Sequence, residues 1–180
     1  MRSRLSLTAL TLMASLMVAP SASLAQATDQ GSETVNKVLA SGGAGFNTAA
    51  VESLLKRGDA AVAAGNLAEA RKYYDDARAA SKQLLAFYRD LSGAFRGLDA
   101  RIPREMDAKG RAALALLAQA NLRLAALFRR QNQPEVAVPV LVEVVRLMTP
   151  SQPEGQKAYQ SLLELGFVET PFAGATAGTN

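Results

Sequence analysis

Residues 118–151, AQANLRLAALFRRQNQPEVAVPVLVEVVRLMTPS, predict two helices joined by a short polar turn. Leucines recur at helical spacing in the first half, and valines do so in the second. Pro134 suits the first turn of the second helix, because its missing N–H has no helical partner there. Thr149 and Pro150 end that helix, since the residue before a proline avoids the α region. The stretch therefore predicts a helical hairpin.

This hairpin resembles the tetratricopeptide (TPR) repeat, a helix–turn–helix unit of about 34 residues. Counting from Ala118, the signature positions of the family are held by Leu124, Ala125, Phe128, Ala137, Leu141 and Pro150. Two residues depart from the pattern, because Asn121 replaces a large apolar residue and Val144 replaces alanine. Pro139 lies inside the second helix and is expected to bend it, since proline removes a backbone hydrogen bond.

A second match lies upstream, in residues 51–84, VESLLKRGDAAVAAGNLAEARKYYDDARAASKQL. The family positions there are held by Leu54, Gly58, Gly65, Ala70, Tyr74 and Ala77. Arg57 and Ala61 stand where the family has leucine and an aromatic residue. The two units begin 67 residues apart, close to twice the repeat length. This offset supports a short array, although residues 85–117 fit the pattern only in their first half.

Residues 47–172 are therefore predicted to form one all-α domain of antiparallel helical hairpins. The domain is either a short TPR-like array or an irregular helical bundle. Predicted helix starts are capped by Asn47, Asn66, Asp107 and Ser151, and a glutamate follows Asn66 and Ser151 three residues later as in a capping box.

Two phenylalanines, Phe167 and Phe172, follow the last predicted helix. They either fold back onto the end of that helix or form an exposed hook for a partner. We expect them to pack, because large aromatic side chains are usually buried. Residues 173–180 are predicted to be a disordered tail.

The N-terminal segment, residues 1–27, is typical of a secretory signal peptide. Its apolar core follows two arginines and is too short to span a membrane. No cysteine follows it for lipid attachment. Residues 28–46, which contain a glycine run, are predicted to be a flexible linker. The expected location is the periplasm. Residues 104–172 are also similar to uncharacterised exported helical proteins of photosynthetic bacteria, which implies the thylakoid lumen as an alternative.

The composition argues against an enzyme. The chain has no histidine and no cysteine, which removes the commonest general base, the thiol nucleophile and most zinc sites. Its acidic residues do not show the spacing of a calcium loop. Loss of Arg2 and Arg4 with the signal leaves 18 of the 20 basic residues against 16 acidic ones. We therefore predict no catalytic residue, no metal, no cofactor and no nucleic-acid partner.

Two groups of basic residues are candidates for binding. In the TPR family the first helix of each repeat lines a groove that binds peptides, and the resemblance implies candidate contacts at Asn121, Arg123, Arg129 and Arg130. A secondary basic patch, suited to anionic lipid or an acidic protein, consists of Arg96, Arg101, Arg104, Lys109 and Arg111. The alternative for both groups is a solvated, charged surface. The carboxylate clamp of the family requires a lysine and an asparagine where this chain has Leu55 and Asp59, so that mechanism is not expected.

Two functional hypotheses follow. The first is an exported adaptor or assembly factor that binds a protein partner through its helical groove. The second is a helical bundle that binds a lipid or another apolar ligand between its long helices. Aromatic residues that would line such a pocket are Tyr73, Tyr88, Phe95 and Phe128.

Overall fold

The computed structural model describes residues 45–172. It contains the helices α1 Thr48–Ala63, α2 Leu67–Ala94, α3 Arg101–Arg130, α4 Pro134–Met148 and α5 Pro153–Glu164. No strand occurs in this part of the chain, so the all-α prediction is confirmed. The predicted signal peptide, nearly all of the predicted linker and the predicted tail lie outside the described residues.

Local sequence signals determine several helix ends. The side chain of Asn47 accepts a hydrogen bond from the Ala50 N–H at 2.8 Å and caps α1. At the start of α2, the Asn66 amide donates to the Glu69 carboxylate at 2.8 Å and accepts from the Glu69 N–H at 3.4 Å. Pro134 is the first residue of α4. These three starts were predicted from capping residues and proline, and they are confirmed.

The predicted start of α3 at Asp107 is wrong, because the helix begins at Arg101. The Asp99 carboxylate accepts a hydrogen bond from the Arg101 N–H at 2.8 Å and stabilises the earlier start. Pro103 falls within the first turn, where the missing N–H removes no helical hydrogen bond. Pro103 is therefore part of α3.

The capping box predicted at Ser151 is also wrong. The N-cap of α5 is Gln152, which makes no side-chain capping bond, and Pro153 is the first helical residue. The Ser151 hydroxyl instead forms a hydrogen bond with the Thr149 hydroxyl at 2.7 Å. A Cβ on Gly155 would lie 1.8 Å from the Thr149 carbonyl oxygen, so the α4–α5 connection passes directly against the first turn of α5.

The five helices form two layers. One layer contains α1, α3 and α5, in which α3 contacts both neighbours, and the other contains α2 and α4. Within the second layer, the Glu143 carboxylate of α4 pairs with Arg78 and with Lys82 of α2, the latter at 3.0 Å. Burial raises the pKa of Glu143, but the bonds to these two cations lower it by more, so the net pKa lies below its ordinary value. Ion pairs therefore connect helices within a layer.

The core lies between the layers and belongs to residues of α1–α5. Its largest fully buried apolar side chains are Val51, Leu84, Leu124, Leu127, Leu141 and Val144. The central helix, α3, contacts each of the other four helices. It is long and apolar enough to cross a membrane, but more than half of its apolar segment is buried in the protein. Its hydrophobicity is therefore that of a core helix.

The segment after α5 does not bury its aromatic residues. Phe167 is 56% exposed and Phe172 is 41% exposed, so the expected packing of these two rings is wrong. Val168 packs against the core between them. The Tyr159 hydroxyl donates a hydrogen bond to the Thr170 carbonyl at 2.6 Å and holds the segment along α5. Since Val168 takes the position that faces the core, the flanking phenylalanines point elsewhere.

Candidate functional site

A groove runs across the layer of α1, α3 and α5. Between α3 and α5 it contains a cavity of about 570 Å³, lined by Gln119, Leu122, Arg123, Ala126, Pro153, Glu154, Lys157 and Ser161. Between α1 and α3 it continues over Asp59, Val62, Tyr74, Arg123, Ala126, Leu127 and Arg130. A further depression is formed by Ala126, Arg129 and Arg130. We call these connected depressions the α1–α3–α5 groove, and Ala126 belongs to all three.

The helical period of α3 positions the groove residues. Gln119, Arg123, Ala126 and Arg130 are spaced by three or four residues, so their side chains share one helix face. The other face of the helix lies in the core. Because Ala126 has a small side chain, it leaves a depression between the longer arginine side chains.

Arg123 is held by an acidic partner. Its Nε lies 2.9 Å from Oδ1 of Asp59, and its Nη2 lies 3.2 Å from Oδ2. A further nitrogen, Nη1, donates to the Gln119 carbonyl at 3.4 Å. The Tyr74 hydroxyl donates to Oδ1 of the same aspartate at 2.7 Å. One carboxylate therefore connects α1, α2 and α3.

The pKa values of this cluster follow from its contacts. Burial raises the pKa of Tyr74, and the hydrogen bond to Asp59 raises it further, so the hydroxyl stays protonated as a donor. Burial also raises the pKa of Asp59, but the hydrogen bonds from Arg123 and Tyr74 lower it more, and the net pKa lies below its ordinary value. The aspartate is therefore ionised near neutral pH and compensates the charge of Arg123.

The other two candidate arginines differ from each other. Arg129 pairs with Glu164 of α5 at 3.0 Å, and both side chains are substantially exposed. Arg130 forms no ion pair with any residue between 45 and 172, and neither does Lys157 on the α5 side of the groove. Glu154 is likewise unpaired within this part of the chain. The groove therefore presents two uncompensated cations and one uncompensated carboxylate.

Asn121 is not a groove residue, and its prediction as a surface contact is wrong. Its side chain is 0% exposed, and neither Oδ1 nor Nδ2 has a hydrogen-bond partner among the described residues. It shares the core-facing stripe of α3 with Leu117, Leu124 and Phe128, at helical spacing. Asn121 is therefore a core residue of α3.

The secondary basic patch separates into paired and unpaired residues. Arg101 pairs with Asp99 at 2.8 Å, and Lys109 pairs with Glu105 at 2.6 Å. The remaining three, Arg96, Arg104 and Arg111, form no ion pair within residues 45–172. Sequence reasoning missed Arg89 of α2, which lines the same pocket as Arg96 and Arg111. It also missed Lys157, for which no local pattern exists, because its position depends on how α5 packs against α3.

Two of the four aromatic residues proposed for an apolar pocket have other contacts. Phe128 lies in the core, and the Tyr73 hydroxyl accepts from Arg57 and donates to Glu69, both at 2.9 Å.

In residues 45–172, no cluster of three acidic residues is arranged to hold a metal ion. The comparisons with known proteins give no match among family models, curated proteins or solved structures.

Proposed function

We propose that this protein is an exported, non-enzymatic, TPR-like adaptor or assembly factor that binds an acidic segment of a protein partner in the α1–α3–α5 groove. The observation that carries the proposal is the net positive charge of the groove: two cations without ion-pair partners, Arg130 and Lys157, outnumber the one such carboxylate, Glu154, in cavities that meet at Ala126. A carboxylate of the partner would find charge-assisted donors there. Export is supported by the pattern of residues 1–27.

The floor of the groove supports a peptide ligand. Val62, Leu122 and Ala126 supply apolar surface between the charged side chains. Protein-binding surfaces commonly combine a small apolar centre with a polar rim. An acidic residue flanked by an apolar one would therefore place its carboxylate near Arg130 or Lys157 and its neighbour over Ala126.

Ion pairs support a preorganised groove. The Asp59–Arg123 pair fixes α1 to α3, and the Arg129–Glu164 pair connects α3 to α5. A groove whose walls are already connected loses less conformational entropy when a ligand binds. Arg123 and Arg129 therefore act mainly on the shape of the groove, whereas Arg130 and Lys157 are the expected ligand contacts.

The test uses a substitution that fills the groove without touching the core. Ala126→Gln places a longer side chain where the three depressions meet. Ala79→Gln is the matched control, because Ala79 is exposed on α2 in the other layer. Arg130→Glu combined with Lys157→Glu reverses the two uncompensated charges and leaves both ion pairs of the groove intact.

Each variant, from residue 28 onward, is incubated with periplasmic and solubilised-membrane extract, and captured proteins are identified by mass spectrometry. We expect the wild type and Ala79→Gln to capture the same partner. We expect Ala126→Gln and the charge-reversed variant to lose it, with unchanged helicity and midpoint of unfolding. Equal capture by all four proteins, or specific capture by none, would contradict the proposal.

A further inference from the structure

The turn between α2 and α3 connects the two longest helices of the described chain. Leu98, in this turn, is 79% exposed, more than any other large apolar side chain among the exposed ones of the described chain. Arg96 and Arg101 lie on either side of it in sequence. Arg101 is paired with Asp99, whereas Arg96 has no ion-pair partner among the described residues. An exposed leucine beside an unpaired arginine suggests that the turn meets a surface that is both apolar and anionic.

A pocket of about 260 Å³ lies beside this turn, between α2 and α3. It is lined by Leu85, Arg89, Ser92, Arg96, Met106, Asp107, Gly110, Arg111 and Leu114. Three guanidinium groups therefore surround a pocket whose other large side chains are mostly apolar. This arrangement matches a ligand with an anionic group attached to a short hydrocarbon portion.

The charges of this pocket are not balanced. Arg89, Arg96 and Arg111 form no ion pair with any described residue. Asp107 is the one carboxylate of the lining, and it accepts a hydrogen bond from the Ser92 hydroxyl at 2.7 Å. The lining therefore carries an excess of two positive charges. Guanidinium groups bind phosphate oxygens through paired N–H donors, so a phosphate is a suitable anion for this lining.

We infer that this end of the α2–α3 hairpin docks on an anionic phospholipid membrane. Arg89, Arg96 and Arg111 bind a headgroup phosphate, and Leu98 inserts at the level of the upper acyl chains. Cations near an anionic leaflet are attracted to its surface potential, and an apolar side chain adds burial on insertion. An acidic protein surface would also satisfy the arginines, and the experiment below includes that outcome.

The two surfaces are separated along α3. The stretch from Arg111 to Arg130 is about 28 Å long at the helical rise of about 1.5 Å per residue. A protein that docks through Leu98 would therefore hold the α1–α3–α5 groove away from the bilayer, where it is accessible to a partner. The membrane proposal does not depend on the groove, because the two sites share no residue.

The experiment is vesicle flotation of the chain from residue 28 onward, which contains the whole described core and lacks the apolar N-terminal segment. Vesicles consist either of phosphatidylcholine alone or of equal amounts of phosphatidylcholine and phosphatidylglycerol. The first variant is Arg89→Gln/Arg96→Gln/Arg111→Gln, and the second is Leu98→Ser. The matched control is Lys56→Gln/Lys72→Gln/Arg146→Gln, which removes the same charge from exposed positions elsewhere.

We expect the wild type and the matched control to float with anionic vesicles only. The arginine variant should lose at least about tenfold in partitioning, and Leu98→Ser should lose about threefold to tenfold, in line with the free energies of single surface charges and one apolar side chain. Rising salt should weaken binding of the wild type. If free glycerol phosphate protects the arginines from chemical modification, the pocket recognises the headgroup itself. If only vesicles protect them, the bilayer surface is required.

Three results would overturn the inference. The first is absence of binding to anionic vesicles. The second is an equal loss in the arginine variant and the matched control, which would indicate a general effect of net charge. The third is binding of polyglutamate through Arg89, Arg96 and Arg111 without vesicle binding, which would assign the site to an acidic protein partner.

Discussion

Arg123 of α3 and Asp59 of α1 form a forked ion pair across 64 residues of sequence, with Nε 2.9 Å from Oδ1 and Nη2 3.2 Å from Oδ2. A planar guanidinium matches the two oxygens of a carboxylate, which gives the pair a defined geometry. Tyr74 of α2 donates to the same carboxylate. Three helices therefore meet at Asp59, and their contact defines one wall of the α1–α3–α5 groove.

Replacement of Arg123 by lysine should weaken this junction. A lysine keeps the charge but cannot make the forked pair, so we expect the free energy of unfolding to fall by about 0.5–1 kcal/mol. Urea unfolding measures the change, and a double-mutant cycle with Asp59→Asn isolates the coupling between the two side chains. Arg146→Lys is the control, because Arg146 is exposed and unpaired within the described residues. Equal effects at both positions would show that the pair contributes nothing specific.

Stability should depend on pH through Asp59. Because its pKa in the folded protein lies below the ordinary value of 3.8, ionised Asp59 stabilises the fold above that pH. This contribution should be lost as the pH falls below about 4, through the folded-state pKa. The difference in unfolding free energy between the wild type and Asp59→Asn should therefore be constant near neutral pH and shrink in acid. Asp76→Asn, at an exposed carboxylate, is the control, and parallel curves for both variants would contradict the assignment.

The contact between Gly58 and Tyr74 should not tolerate a methyl group. A Cβ on Gly58 would lie 2.3 Å from Cε1 of the Tyr74 ring, so Gly58→Ala must displace a buried aromatic side chain. We expect a loss of about 1–3 kcal/mol in the free energy of unfolding. Gly93→Ala is the matched control in α2, because no atom beyond its chain neighbours and the adjacent backbone of its own helix lies within 4 Å of its Cβ position. That control should be neutral or stabilising by up to about 1 kcal/mol, since alanine favours the helix. A tolerated alanine at Gly58 would show that the helices do not approach this closely.

Asn121→Leu should stabilise the protein. The buried amide has no hydrogen-bond partner in residues 45–172, and an unsatisfied buried polar group costs about 1–3 kcal/mol. Leucine keeps the branching of the amide at Cγ and matches the apolar surroundings, so thermal and urea unfolding should both shift upward. Ser81→Ala is the comparison, because the buried Ser81 hydroxyl donates to the Ala77 carbonyl at 2.8 Å and its removal brings no such gain. A loss of stability in Asn121→Leu would mean that the amide is satisfied in solution.

Local signals predicted the fold class and several helix ends because they act between near neighbours. The helix starts predicted from Asn47, Asn66 and Pro134 were correct, since capping and proline geometry involve only the next few residues. The helix starts predicted at Asp107 and Ser151 were wrong, because a proline permits an earlier start in α3 and a later start in α5. An acidic or hydroxyl residue near a turn is therefore a weaker signal than a proline in the first helical turn.

By itself, the sequence determined that residues 47–172 form antiparallel helical hairpins, because hydrophobic periodicity and capping are local properties of the chain. Only the tertiary structure decided which charges are available for binding. Arg123 is compensated by Asp59, far away in sequence, whereas Arg130, Lys157 and Arg89 are not. The packing of α1 and α5 against α3 brings those groups together or keeps them apart, and no pattern within a single helix encodes that packing.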